Sequence, residues 1–572
     1  MNKDLFIYIF NNKILNQKIF NYVYLINRII DGNESKRWND LNESPITLVS
    51  YGYLDLLKLY QKRNPTLKYD SFLFKRLLTK AVAKRHLPVL KYLVDELNMF
   101  SRPFIGNQMY DCKLLGVAVE VADFAIIEYL ESMNDIAHWD YPEVFIMSPI
   151  SRSLGIVKHF SDRLDTVFGG GRTTVVVPSR MKVVFEIAAS IGIMEIIEWL
   201  IANRSEWRKG SNMYIHAVSG NKLHVLEFLQ RESLEKLKLN TNLFELASKN
   251  LEMVKWFCNN LHQQQQQDTF TIKLDSAAKH SLSIVKWLNE NTTPACTVNA
   301  MDLAASNGLL DVVEYLHQVR TEGCTVKAMN YAASNGFLPV VRFLHENRSE
   351  GCTTLAIDGA SRFGSLEIVR FLTENRSEGC TQQAMSYAAS NGHLDVLIYL
   401  HQHRTEGCST DAMDRACYNK RINIVKWLHA NRSEGCSTDA MDEAANQGSL
   451  ELVQFLHENR SEGCTTLCMD NAASSGHFEI VQWLHNNRTE GATTKAIDDA
   501  AGFGRLDIVE WLHNNRTEGA STLAMDKAAV HGHFNCVKWL NENRTEGFSG
   551  QHIISQAQAF GYQKIADYLL NM

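Results

Sequence analysis

The stretch TVNAMDLAASNGLLDVVEYLHQVRTEGC, Thr297 to Cys324, is the first of nine copies written between Cys296 and Gly547 with a fixed period of 28 residues. Single positions hold the register. Cys296, Cys324, Cys352, Cys380, Cys408, Cys436 and Cys464 share one slot, which Ala492, Ala520 and Phe548 then take over. Arg320, Arg348, Arg376, Arg404, Arg432, Arg460, Arg488, Arg516 and Arg544 share another. A fixed period of this length marks a solenoid, in which one small unit stacks on copies of itself. A single core stops growing near about 250–300 residues, and a stack escapes that limit because each unit touches only its neighbours. The chain, at 572 residues, is long enough to need that escape.

One copy, Thr325 to Gly351, reads as a helical hairpin. Thr325 is placed to cap the start of a first helix. Ala328, Met329, Ala332 and Ala333 fall on one helical face, and the small alanines let two helices approach closely. Ser334-Asn335-Gly336 stops that helix, with glycine where the backbone often turns left-handed. Leu338, Val340, Val341, Phe343 and Leu344 form the apolar stripe of a second helix. Arg348 to Gly351 then returns the chain to Cys352. A lone pair leaves one apolar flank bare, and the next copy covers it.

Outward from this block the period loosens. From Ser44 to about Thr293 the second-helix phrase still recurs, beginning at Leu54, Leu87, Phe124, Leu154, Met194, Leu223, Leu251 and Leu282, while the spacing between copies varies. Gly169 to Arg172 and Gln263 to Gln267 read as loop insertions. The expected organisation is an N-terminal helical cap or docking segment over 1–43, degenerate repeats over 44–295, nine regular repeats over 296–548 and a capping repeat over 549–572.

The phrase AMDxAASxGHLDVVxWLH, as at His393-Leu-Asp-Val-Leu397, resembles the second half of an ankyrin repeat. The Thr-Pro-Leu-His opening of that family is replaced by forms such as Ala412-Met-Asp414, and the unit has 28 residues where the family has 33. The chain therefore resembles the short-repeat ankyrin proteins of amoebae and their giant viruses. The resemblance implies an all-α superhelical array of ankyrin-like hairpins with reduced or absent β-hairpin fingers. It also implies protein–protein interaction along the concave face of the first helices. Within residues 1–43, Leu5 to Phe10 resembles the start of an F-box, without its Leu-Pro opening. That resemblance implies an alternative role, as a ubiquitin-ligase adaptor presenting proteins bound to the repeats.

Composition narrows the function classes. A formal net charge of −6 over 572 residues gives no general case for nucleic-acid binding, so no nucleic-acid partner is expected. No apolar run is long enough to span a membrane, and the N-terminus lacks a signal peptide's continuous apolar core, so a cytoplasmic monomer is expected, with nuclear entry left open. Helices in neighbouring units sit roughly 8–10 Å apart, too far for a disulfide ladder or for one metal ion to gather the repeating cysteines or histidines. The cysteines read as small buried thiols. The ladder His317, His345, His401, His429, His457, His485 and His513 reads as capping or helix-edge groups. The Arg and Glu of Arg-Ser/Thr-Glu-Gly suggest ion pairs between repeats. No GxxxxGK[ST], GxSxG, HExxH or paired CxxC is present, so no catalysis, metal or cofactor is expected.

Comparison among copies separates scaffold from surface. Slots filled alike in nearly every copy are structural. The slot before the alanine pair varies freely: Leu303, Tyr331, Gly359, Tyr387, Arg415, Glu443, Asn471, Asp499 and Lys527. Pairs near the end of the first helix also vary, including Arg362-Phe363, Tyr418-Asn419, Asn446-Gln447 and Val530-His531. Apart from Gly359, which offers no side chain, the first set is the expected partner-binding stripe of a non-catalytic scaffold.

Overall fold

The computed structural model describes residues 45–63, 71–97, 108–133, 139–167, 178–232, 240–263 and 272–572. The cap or F-box-like segment 1–43, the Gly169–Arg172 insertion and the run Gln264–Gln267 lie outside the described residues. The described chain is all-α, and the only β pairing among these residues is a lone bridge between Lys273 and Ala295. No helix among them is long and apolar enough to cross a membrane.

The chain divides into two compact units, 1–238 and 239–572. In the first, helices alternate as pairs, such as Gln108–Glu120 with Phe124–Glu131 and Val183–Ile191 with Met194–Asn203. All eight loosened second-helix phrases, the last two lying in the second unit, begin a helix; these run from Leu54–Arg63 to Leu282–Asn291. In the second unit the pairs are nearly identical, for example Val326–Ser334 with Leu338–Asn347, followed by Leu355–Phe363 with Leu366–Asn375. Consecutive first helices pack more closely than consecutive second helices, so the first helices form the tighter layer of this array.

The hairpin forms for the reasons its residues dictate. Ala328, Met329, Ala332 and Ala333 are buried against Val340, Val341 and Leu344. Leu338 and Phe343 are half-buried at the edge of the stripe. Gly336 turns left-handed at φ 83°, and a Cβ there would lie 2.3 Å from the ring of Phe363 in the next copy.

What joins one hairpin to the next is a buried carboxylate. Thr325 Oγ1 accepts from the Lys327 N–H at 3.1 Å and so caps its own helix. The same hydroxyl donates to Asp302 Oδ2 of the preceding copy at 2.7 Å, and the Thr325 N–H donates to Asp302 Oδ1 at 2.8 Å. The arrangement recurs as Asp358 with Thr381, Asp414 with Ser437, Asp442 with Thr465, Asp470 with Thr493 and Asp498 with Ser521. Asn330 serves Thr353 in amide form. One copy breaks the series: Ser386 is fully buried and its hydroxyl has no hydrogen-bond partner. Burial pushes the carboxyls of Asp358, Asp414, Asp442 and Asp470 upward, against the threonine and serine donors.

A second ladder runs along the turns, and it differs from the expected ion pairs between repeats. Arg348 forks onto Glu350, two residues later in its own turn, because the turn sets the two side chains alongside each other. The link between copies is made by Glu350 Oε1, which accepts from the Cys324 N–H at 3.3 Å. The hydrogen bonds from the arginines bring Glu350, Glu378 and Glu462 from the ordinary 4.5 down to about 2, with partial burial opposing.

The histidines are not caps either. Each ring stands edge-on to the second-helix aromatic of the following copy, as His401 does to Trp427 with centroids 5.2 Å apart. Where that aromatic is Trp, the arginine 31 residues on also reaches the ring: Arg432 Nη1 lies 3.3 Å from His401 Nδ1. Where it is Phe, the Nδ1 atoms of His317, His345 and His429 have no hydrogen-bond partner.

Three outcomes follow. Asp470→Ala strands the Thr493 donors and lowers the free energy of unfolding by about 1–3 kcal/mol, read from denaturant midpoints. Lys420 occupies the slot of Gly336 and Gly364 at φ 57°; Lys420→Gly relieves that left-handed strain and raises stability by about 0.5–1 kcal/mol in the same assay. The third concerns pH. A carboxyl whose folded value is depressed stabilises above its unfolded value and loses that contribution on acidification. For Glu350, Glu378 and Glu462 the loss runs from pH 4.5 to about 2. The raised aspartates act in the opposite sense. Thermal unfolding of Glu350→Gln/Glu378→Gln is therefore expected to fall less steeply across that window than the wild type.

Candidate functional site

The face of each first helix turned away from its hairpin partner carries the slots that vary. Each copy offers one residue in the first turn, one four positions on and two at the helix end, which is the i, i+4, i+7, i+8 spacing of one helical face. The stripe expected from the sequence lies on this face. Tyr331 is 49% exposed and Arg415 is exposed. Leu303, Tyr387, Glu443, Asn471, Asp499 and Lys527 are half-buried between neighbouring first helices.

Neighbouring copies bring some of these residues together. Lys527 Nζ donates to Asp499 Oδ1 at 2.5 Å across one repeat. The Arg362 guanidinium lies over the Tyr387 ring, 5.7 Å from its centroid. Others are tied within their own helix: Arg415 pairs with Asp411 at 2.8 Å, and Glu443 accepts from the Asn446 amide at 3.1 Å. Exposed pairs of this kind contribute about 0–1 kcal/mol, so they shape the surface more than they hold the fold. No geometry gathers the eight positions at one point; they form a row, one per copy.

The sequence comparison passed over one slot on the same face. Leu355 is 62% exposed, Leu467 45% and Leu523 48%, each four residues before a stripe position. Phe363, Tyr418 and Phe503 are exposed at the helix ends at 58%, 51% and 60%. The face therefore presents more apolar and aromatic area than the stripe alone. The signal was available: a residue four positions from a variable helical residue shares its face.

The cysteine ladder behaves as packing. Cys324, Cys352, Cys380, Cys408 and Cys436 are buried, and burial pushes Cys324, Cys380 and Cys436 up to about 12 and Cys352 and Cys408 up to about 11. Such thiols are poor nucleophiles.

Comparison with known proteins agrees with the hairpin array. The family model described as ankyrin repeats (3 copies) matches residues 301–382 and 357–442, and that described as ankyrin repeats (many copies) matches 441–485 and 497–540. No curated protein matches the chain. Among solved structures, the chain is similar to the crystal structure of the pentatricopeptide repeat protein PPR10 from maize, at 10% identity and a TM-score of 0.26, over 100% of this chain and 98% of that one. PPR10 in complex with an 18-nt psaJ RNA element matches at 9% identity and a TM-score of 0.25, over 91% and 87% of the two chains. The expectation that set nucleic acid aside is withdrawn, because one of these matches is an RNA complex and a mild net charge says nothing about local surfaces. At such TM-scores the likeness assigns no ligand to this chain. The two family models identify the helical hairpins of residues 301–485 and 497–540 as ankyrin repeats.

Proposed function

We propose that the chain is a non-catalytic scaffold that binds partner proteins along the exposed face of its first helices, within the regular repeats of 296–548. The observation that carries the reading is the contrast between a uniform frame and a varied face. The buried slots repeat almost without change, whereas the face they hold up carries Tyr331, Leu355, Phe363, Tyr418 and Phe503 with much of their surface exposed. Exposed aromatic side chains spread along one face supply the anchors that protein interfaces use. Ankyrin repeats generally mediate protein–protein interaction, in keeping with this reading. The ladder cysteines are free and mostly buried, which supports a reducing compartment, the cytoplasm, as the place of action.

The test is capture of partners from the native cell on the tagged full-length chain, compared with Tyr331→Ala/Tyr387→Ala/Arg415→Ala. Proteins held by the wild type are expected to be lost or at least tenfold depleted from the variant. Thermal unfolding of the variant should stay close to wild type, since surface substitutions of this kind shift stability by about 0.5 kcal/mol each. Undiminished capture of every partner by a folded variant refutes the assignment to this face.

A further inference from the structure

One copy of the repeat carries a donor set that the others lack. In the first helix Leu467–Ser475, Cys468 stands in a slot where every other copy, from Ala300 to Ala524, holds alanine. That slot faces the cysteine ladder, so Cys468 meets Cys464. It also faces the carboxylate that joins this copy to the one before, Asp442. The two sulfurs and a carboxylate oxygen of Asp442 all lie within 4.8 Å of one another. All three residues are buried, at 8% exposure for Cys464, 1% for Cys468 and 4% for Asp442. The Cys468 thiol donates to the Met441 carbonyl oxygen, 3.6 Å from its Sγ.

From this convergence we infer that Asp442, Cys464 and Cys468 form a binding site for one thiophilic divalent cation of the zinc class. Zinc holds thiolate sulfur at about 2.3 Å and carboxylate oxygen at about 2.0–2.2 Å, which sets its tetrahedral ligands about 3.5–3.8 Å apart. Side-chain rotation that draws the atoms together by about 1 Å brings the three to that spacing. Two soft sulfurs with one or two oxygens suit zinc or cadmium over magnesium or calcium, which take oxygen alone. The earlier objection to metal, that ladder cysteines in successive copies stand a helix apart, does not apply, because here the second sulfur comes from Cys468, four positions along the chain from ladder Cys464.

Space and charge favour the same reading. In the copy two units earlier, Cys408, Ala412 and Met413 line a narrow gap, and Cys468 holds the slot equivalent to Ala412. Asp442 already accepts from the Thr465 N–H and hydroxyl at 2.9 and 2.6 Å, which fixes the carboxylate and leaves lone pairs for an ion. Each thiol that ligates releases its proton to solvent.

Cadmium alone, titrated into the reduced full-length protein, tests the site through the thiolate-to-metal charge-transfer band in the ultraviolet. One equivalent is expected to bind, with a matching rise in the thermal midpoint. Cys468→Ala is expected to abolish the band or lower the affinity at least tenfold, and Cys464→Ala likewise. Both variants carry residues that other copies hold at those slots, Ala440 and Ala496 for one and Ala492 and Ala520 for the other, so both keep the fold. Cys436→Ala, which removes a ladder cysteine facing alanine, is expected to leave binding unchanged. Absence of a stoichiometric band in the wild type, or a band undiminished in Cys468→Ala, overturns the proposal.

Discussion

A carboxylate buried between two hairpins is a liability until something holds it, and in this array the holder is always the first residue of the next copy. Asp302 and Thr325 set the pattern, in which the hydroxyl caps its own helix and donates backward while the amide beside it fills the second oxygen. A unit that folds without its successor leaves a charged group in apolar surroundings with no donors, and a successor that docks out of register cannot supply them. Hydrophobic contact alone tolerates sliding; two directional bonds to one buried carboxylate do not. Register through the array depends on this joint, and the turn ladder of Glu350 with the Cys324 N–H repeats the constraint at the residue just before it.

With register held from inside, the outward face of the first helices is relieved of structural duty. That is why Tyr331, Gly359, Arg415 and Lys527 can share a slot without disturbing the helices beneath them. The second helices are less free. Their histidines lean on the aromatics of the following copy, and the choice of Trp or Phe decides whether an arginine completes the contact. Variation is thus channelled to one side of each hairpin, and that side carries the proposed interface.

Much of this was legible in the sequence, and the parts that were not share a cause. The period gave the units, the alanine faces gave the close helix packing, and Thr325 announced its cap. Asp302 and its equivalents were overlooked because a charged residue on a helix reads as solvated, and only the packing of the next copy shows that it is enclosed. Arg348 and Glu350 were assigned to different repeats because sequence gives proximity along the chain but not the curl of a turn. The histidines were read by their place on the helix, whereas their rings reach across to the next one. Cys468 was not singled out in the sequence, because Asp442, from the copy before it, meets it only in three dimensions. On the binding face the stripe and the Arg362-Phe363 pair were found through variation, while Leu355 needed exposure to be seen.

The unanswered hydroxyl of Ser386 gives the array a grain. In a stack whose cohesion is the sum of nearest-neighbour couplings, one coupling made from poorer parts marks where the column parts first. Ser409, at the head of the next copy, meets a serine where its equivalents meet a carboxylate or an amide. Under tension, or during stepwise unfolding, repeats on either side of that joint behave as two shorter columns hinged at the rim bonds that remain, among them Asn419 to Ser390 and Arg432 to His401. A chain that looks uniformly periodic on paper is mechanically segmented, and a partner lying across the joint would act as its splint.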